Sequence, residues 1–229
     1  KNNSDLKNIT FIDSENNFLF SKKDIYALGV RNMALIESND KILIADNVLE
    51  TEYLDSMNSD TLQKGKTGRQ SNWQSHPRLH EELKYKPLSK AALTLGKSYA
   101  ENLKWKYEHI FITDMWSNIL KPGETHSPHT HSNNIISGVF YTKADDTAGL
   151  RFYDPRPQAS VFDLNREYNW NNCSLWEYAS KTNRMILFPS WLSHMVPPNK
   201  SKENRISIAF NLMVKGKVGI PDEFQSSEF

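Results

Sequence analysis

The chain has 229 residues, which is enough for one sizeable domain with appendages. Its 38% hydrophobic and 24% charged residues are ordinary for a globular protein and argue against a chain that is mainly disordered. A net charge of +1 argues against nucleic acid as a partner, and the absence of a long apolar run argues against a membrane span. The one cysteine, Cys173, cannot form an internal disulfide, so we expect a cytoplasmic location.

The first half of the chain predicts a mixture of short strands and helices. Two apolar runs favour strands, at 18–20 and 41–48. Apolar residues about one helical turn apart predict helices over 50–62 and 88–105. Ser89 is the expected N-cap of the second helix.

After residue 107 the hydrophobic pattern alternates with a period of two, which is typical of strands. Five segments with this alternation are separated by turn sequences, at 109–120, 135–143, 149–154, 184–189 and 205–214. Helices followed by a run of strands indicate an α+β fold with an antiparallel sandwich or barrel in the second half.

The segment 205–214 has two different faces. One face is apolar and consists of Ile206, Ile208, Phe210, Leu212 and Val214. The other face carries Arg205, Ser207, Ala209, Asn211 and Met213. If the sheet curls into a barrel with an open mouth, the second face lines a pocket; otherwise it faces solvent, as in an ordinary half-buried strand.

Histidines form the clearest candidate site. Three of them lie within six residues, and in an extended segment His129 and His131 point to the same side, as a metal site requires. A histidine-rich surface loop explains the same spacing equally well, and His126 is expected near such a site or on the surface. His194 follows an apolar strand, and Arg205 comes eleven residues later. A distant histidine with an arginine that can bind a carboxylate suggests a metal beside an anionic cosubstrate.

Three stretches resemble a family of 2-oxoglutarate- and Fe(II)-dependent oxygenases known largely from bacteria and phages: HTHSNNIISGVFY, FPSWLSH and RISIAFN. SNWQS at 71–75 is a weaker match, and the resemblance covers most of residues 70–214. It implies a double-stranded β-helix of the jelly-roll or cupin-like type, similar to that of prolyl hydroxylases. It also implies an oxidoreductase that uses Fe(II), 2-oxoglutarate and O₂, hydroxylates a substrate and releases succinate and CO₂.

The resemblance further implies the metal ligands. Members usually bind iron through an H-x-D/E pair and a distant histidine. In this chain the first histidine corresponds to His129 and the distant one to His194, but the acidic position is occupied by His131. We therefore expect His131 as the third ligand. Two carboxylates elsewhere are the alternatives, Glu124 and Asp154.

The resemblance assigns cosubstrate and substrate residues as well. Arg205 and Ser207 match the R-x-S pair that holds the far carboxylate of 2-oxoglutarate, and Tyr141 matches a tyrosine that reaches the same carboxylate. Asn118 is expected to assist them. Two further residues are expected to line the substrate entrance, Asn72 and Trp73.

These residues predict three parts of the chain. Residues 1–105 form N-terminal strands and helices that support the core by packing on one sheet. Residues 106–216 form the double-stranded β-helix core with the metal and 2-oxoglutarate site, and residues 217–229 form a C-terminal tail.

Three functional interpretations stay open. The first is a 2-oxoglutarate-dependent iron dioxygenase. The second is a cupin-like metalloenzyme with three histidine ligands that does not use 2-oxoglutarate, and the third is a non-catalytic jelly-roll binding module. Arg205 and Ser207 on one strand face favour the first, because a site that holds only a metal needs no carboxylate clamp. The sequence leaves open whether the substrate is a small molecule or a peptide, and a homodimer is compatible with it.

Overall fold

A computed structural model describes residues 9–12, 18–20, 25–28, 34–38, 42–63, 73–156, 167, 172–220, 224 and 226–229. Two α-helices lie in this part of the chain, α1 (Thr51–Gln63) and α2 (Lys86–Asn102). Two 3₁₀ turns precede the second helix, at Leu79–Glu81 and Leu83–Tyr85. None of the helices described is long and apolar enough to cross a membrane.

The described strands are, in chain order, β1 (Ile9–Ile12), β2 (Phe18–Phe20), β3 (Ile25–Leu28), β4 (Ala34–Ser38), β5 (Ile42–Asp46), β6 (Trp73–Gln74), β7 (His109–Leu120), β8 (His126–His129), β9 (Ile136–Lys143), β10 (Leu150–Tyr153), β11 (Leu175–Tyr178), β12 (Arg184–Pro189), β13 (His194–Val196), β14 (Arg205–Lys215), β15 (Lys217–Val218) and β16 (Ser227–Glu228). The five strands predicted after residue 107 correspond to β7, β9, β10, β12 and β14. The period-two pattern locates them well because each buries one or both faces.

Two sheets form the core. The major sheet has the order β2-β4-β5-β12-β9-β14-β7-β6, and the minor sheet has the order β11-β10-β13-β8. All neighbours in these sheets are antiparallel except β2 and β4. An apolar cluster joins the sheets, with Val139 and Phe188 from the major sheet and Phe152 and Val196 from the minor sheet. The predicted α+β fold with an antiparallel sandwich is therefore confirmed.

The other face of the major sheet carries the helices. Met57 of α1 and Leu95 of α2 share one buried cluster with Phe140 and Phe210 of the sheet. Phe210 lies directly opposite Gly138 on β9, and its ring occupies the space that a Cβ atom on that glycine would enter. This large–small pairing lets the aromatic ring lie flat on the sheet beneath the helices. The expectation that the helices pack on one sheet is met.

The start of α2 differs from the prediction. The helix begins at Lys86, three residues before Ser89, and Pro87 lies in its first turn. Proline is well tolerated there because its missing N–H would have no helical partner. Ser89 is consequently inside the helix, where its Oγ donates to the Tyr85 carbonyl at 3.0 Å. The prediction of Ser89 as N-cap was wrong.

Candidate metal centre and its cavity

The polar face of β14 lines a cavity between the two sheets. Arg205, Ser207, Ala209 and Asn211 all contribute to its wall, and the cavity volume is about 340 Å³. The minor sheet covers this face, so it is not the solvent-exposed side of an ordinary half-buried strand. A volume near the lower end of the range for small-molecule pockets leaves room for a small cosubstrate and the end of a substrate.

Three histidines meet at one side of this cavity. His129 ends β8, His131 follows it in the next loop, and His194 begins β13 directly opposite His129. One ring nitrogen from each lies within 4.8 Å of the other two. Metal–nitrogen bonds are about 2.0–2.1 Å long, so small ring rotations bring all three nitrogens onto one ion.

Backbone carbonyls set the tautomer of two of these rings. The Nδ1 atom of His129 lies 2.8 Å from the Ser127 carbonyl oxygen, and Nδ1 of His194 lies 2.9 Å from that of Leu192. Because a carbonyl oxygen can only accept, each Nδ1 carries the proton and each Nε2 keeps its lone pair. This is the arrangement in which a histidine binds a metal through Nε2.

Side chains hold the third ring in the same way. Nδ1 of His131 donates to Oδ1 of Asn211 at 2.6 Å and lies 3.0 Å from Oγ of Ser137. Ser137 Oγ in turn donates to the same amide oxygen at 2.8 Å. The Nε2 atom of His131 is therefore also left available for a metal.

Burial keeps the ligands neutral. It lowers the pKa of His194 to about 3 and lowers the pKa of His131 below its usual range. Both rings are uncharged at neutral pH, and only the neutral imidazole has a lone pair for a metal. The donor set thus fits a divalent transition metal.

The structure brings neither alternative carboxylate to the histidines. Glu124 Oε2 accepts the Lys121 N–H at 2.7 Å, and Asp154 forms an ion pair with Arg156 at 2.7 Å. Neither side chain lines the cavity. Their main-chain and arginine partners lie close in sequence, so local contacts satisfy both carboxylates.

Arg205 lies away from the histidines, at the opposite end of the cavity-lining face of β14. It is fully buried, with Nε donating to the Ala148 carbonyl at 2.9 Å and Nη1 donating to Ser207 Oγ at 3.0 Å. Its Nη2 atom has no hydrogen-bond partner among the described residues. The hydroxyl of Tyr141 also lacks one, and the centroid of the Tyr141 ring lies 4.8 Å from the guanidinium carbon of Arg205. Burial of a guanidinium without a partner anion costs several kcal/mol of free energy. This end of the cavity therefore fits an anionic ligand.

His126 also lines the cavity, where its Nε2 is buried and lacks a partner among the described residues. Burial, assisted by the charge of Arg205, lowers its pKa to about 4. A regular strand would place His126 and His129 on opposite faces. Three residues of β8 span only two of β13 here, and this bulge turns both rings inward. Periodicity alone gave no signal for it.

The remaining expected residues divide between cavity and core. Asn118 lies beside Ser207 in the cavity wall, and its Oδ1 accepts from Gln74 at 2.9 Å. Trp73 packs instead with Ile119 and Ile206 in a small apolar cluster, and its neighbour Gln74 lines the cavity. Adjacent residues of β6 face opposite sides of the sheet, which is why Gln74, and not Trp73, lies in the cavity wall. Asn72 lies outside the described residues.

Comparison with known proteins identifies this core. No curated protein matches the chain. Residues 114–211 match the family described as "Putative 2OG-Fe(II) oxygenase". That segment contains the three histidines and Arg205. Over this segment, which is less than half of the chain, the sequence is similar to that family. The match ends at Asn211, the residue that holds His131.

Solved structures of other proteins share the fold. A prolyl-4-hydroxylase from Pseudomonas putida aligns with a TM-score of 0.56 and 12% identity, covering 77% of this chain and 94% of its own. HygX from Streptomyces hygroscopicus, solved with nickel and 2-oxoglutarate bound, gives 0.55 and 9% identity over 76% and 83% of the two chains. The viral collagen prolyl hydroxylase from Paramecium Bursaria Chlorella virus-1 gives 0.52 and 14% over 76% and 90%. These similarities confirm the double-stranded β-helix.

The family match favours the first of the three interpretations, a 2-oxoglutarate-dependent non-haem iron oxygenase. The match does not determine the substrate, because one fold and one metal chemistry serve many substrates.

Proposed function

We propose that this protein is an Fe(II)- and 2-oxoglutarate-dependent dioxygenase that hydroxylates its substrate in the cavity between the two sheets. One observation carries the proposal. The fully buried Arg205, with an unpartnered Nη2, shares a cavity with three imidazoles whose Nε2 atoms are all available. A metal centre and an anion-binding group in one cavity match the two carboxylates and the chelating keto group of 2-oxoglutarate.

The metal ligands in this proposal are His129, His131 and His194, each through Nε2. When bound, Fe(II) supplies the oxidative chemistry: 2-oxoglutarate, O₂ and a substrate C–H are converted to succinate, CO₂ and a substrate C–OH. The protein itself binds and orients the reactants and keeps bulk water away from them.

The far carboxylate of 2-oxoglutarate binds at Arg205. Its Nη2 has two N–H donors that no described residue uses, and an arginine–carboxylate contact is charge-assisted and oriented. Ser207 accepts from Arg205, so its own hydrogen is available to a carboxylate oxygen. The unpartnered Tyr141 hydroxyl is a further donor. Asn118 has its oxygen occupied by Gln74, which leaves its amide hydrogens to face the cavity.

Apolar side chains enclose the same space. Leu150, Phe188 and Val196 line the cavity beside the polar groups. Exclusion of water by such walls strengthens the contact between Arg205 and a carboxylate and limits side reactions.

A metalloenzyme that binds its metal through the three histidines and does not use 2-oxoglutarate is the second candidate. The all-imidazole donor set favours it, because no carboxylate of the usual 2-His-1-carboxylate triad lies among the three ligands. The unpartnered guanidinium argues against it, since such an enzyme would leave the buried charge without an anion.

The test is an anaerobic titration of metal-free protein with Fe(II) and then 2-oxoglutarate, followed by visible absorption. We expect a charge-transfer band from the chelated complex. In Arg205→Ala the band should need at least about tenfold more 2-oxoglutarate, because a charge-assisted pair is lost. Arg156→Ala is the matched control, since Arg156 is exposed and outside the cavity, and it should leave the titration unchanged.

Other outcomes contradict the proposal in distinct ways. Fe(II) binding without the band would support the second candidate. Failure to bind Fe(II) would indicate a non-catalytic jelly-roll module. A cytoplasmic location is part of the proposal, supported by the single cysteine, and fractionation of cells that express the protein tests it.

A further inference from the structure

One carboxylate lines the cavity without a role in the site described above. Asp114 on β7 is half-buried in the cavity wall. Its oxygens take part in no hydrogen bond or salt bridge with the residues that the structure describes. It is the one acidic side chain among the described cavity-lining residues.

Asp114 and Arg205 lie at opposite ends of the cavity. In the β7–β14 ladder Asp114 is paired with Asn211, whereas Arg205 is paired with Leu120. Six residues of strand separate these two rungs, which is about 20 Å at the usual rise per residue. No salt bridge joins the two side chains among the described residues, and the cavity has a cationic end and an anionic end.

The anionic end is the one beside the histidines. Asn211, the cross-strand neighbour of Asp114, holds His131 through the 2.6 Å hydrogen bond. A group bound at Asp114 therefore lies next to the metal ligands, on the side away from Arg205. This is where a substrate must lie if 2-oxoglutarate extends from the metal towards Arg205.

No cationic side chain among the described residues forms an ion pair with Asp114. Arg78, whose backbone bridges Met115 beside it, is engaged with Glu81 at 3.6 Å. The carboxylate therefore faces the cavity without a cationic partner among the residues that the structure describes.

An aromatic ring and open space adjoin the carboxylate. Trp116 lines the cavity two residues further along β7, and its ring centroid lies 5.8 Å from that of His131. Its cross-strand partner is Ala209, whose small side chain leaves the space over the sheet open. A carboxylate next to an indole face is the combination that binds an ammonium group, through a charge-assisted hydrogen bond and a cation–π contact.

We propose that Asp114 and Trp116 form the substrate subsite, and that the substrate carries a protonated amine close to the carbon that is hydroxylated. This inference rests on the proposed function, because it takes the histidines as the reaction centre. The substrate class is an aliphatic amine, either free or as part of a larger molecule.

The test compares two probes of equal length, n-pentylammonium and n-pentanol. Their dissociation constants for the metal-free full chain are measured by ligand-observed NMR. We expect wild type to bind the ammonium at least about tenfold more tightly than the alcohol. Asp114→Asn keeps the shape and removes the charge, and it should abolish the preference. The matched control is Asp55→Asn on the exposed face of α1, which should keep it.

Three results would overturn the inference: equal affinity for the two probes in wild type, a preference that survives in Asp114→Asn, or a loss of Fe(II) affinity as the main effect of that variant. Thermal melting of each variant shows that it is folded. Because the probe experiment needs no metal, it fails independently of the proposed function. A charge-transfer band without ammonium preference would remove only the subsite, and the preference without the band would remove only the oxygenase.

Discussion

The two faces of β14 have opposite tasks. One face packs Ile208 and Phe210 against the helices, and both side chains are fully buried. The other face places Arg205 and Asn211 in the cavity. Because side chains alternate along one strand, the same eleven residues anchor the core and shape the site.

The energetic balance differs between these faces. On the helix side, burial of each large apolar side chain stabilises the fold by roughly 1.5–3 kcal/mol. On the cavity side, the buried guanidinium of Arg205 destabilises the unliganded protein, because its Nη2 lacks a partner among the described residues. The cavity face of β14 therefore contributes less to the stability of the fold than the apolar face does.

The largest expected effect is on metal binding at the cavity face. His194→Ala removes a buried ligand, so stoichiometric Fe(II) binding should be lost under anaerobic titration. His109→Ala is the control, since His109 is exposed at the start of β7. Retention of wild-type affinity in His194→Ala would show that the metal lies elsewhere.

On the helix face, Phe210→Ala should lower the free energy of unfolding by about 3–5 kcal/mol, because it leaves a void over Gly138 beneath the helices. Urea denaturation followed by circular dichroism measures this loss. Fe(II) affinity of the protein that remains folded should be unchanged. A large change in that affinity would contradict the interpretation that one face of β14 packs the core and the other forms the site.

A subtler change on the cavity face is Asn211→Leu, which keeps the side-chain size but removes the acceptor for His131. We expect Fe(II) affinity to fall about 10–100-fold, because the ring loses the group that fixes its tautomer and orientation. Anaerobic titration gives the dissociation constant. The effect should exceed that of Asn134→Leu, which changes another amide in the cavity wall whose hydrogen bonds go to Ser132 and Thr113 and not to His131.

The last prediction concerns the dependence of stability on pH, for which the expected slope is small per pH unit. The native pKa values of His126 and His194 are about 4 and about 3, well below the ordinary value. Between about pH 6.5 and pH 4 the unfolded chain binds protons at these histidines that the native protein does not bind. The free energy of unfolding therefore falls as the pH falls. The slope should be at most about 1.4 kcal/mol per pH unit for each histidine.

Urea titrations of metal-free protein at several pH values measure that slope. His126→Asn should make it shallower, because one of the histidine protonation events is removed. An unchanged slope in this variant would mean that another group governs the acid response.

Several site features could be read from the sequence and others could not. The alternation in 205–214 assigned Arg205, Ser207 and Asn211 to one face, as observed. His126 faces the cavity because of a bulge in β8, and no pattern in the sequence predicts that bulge. Asp114 escaped notice because a single aspartate in a strand resembles any solvent-facing residue until the covering sheet is known.

By itself, the sequence determined the types of the main elements, the two faces of the last long strand, and the set of histidines with Arg205 that points to a metal and a carboxylate ligand. Only the tertiary structure decided that the minor sheet encloses the polar face, that the carboxylates of Glu124 and Asp154 are engaged elsewhere, and that Asp114 lies at the other end of the cavity from Arg205. The physical reason is that periodicity reports which side of a strand a residue occupies. What covers that side depends on pairings such as that of β8 with β13, between segments far apart in the chain.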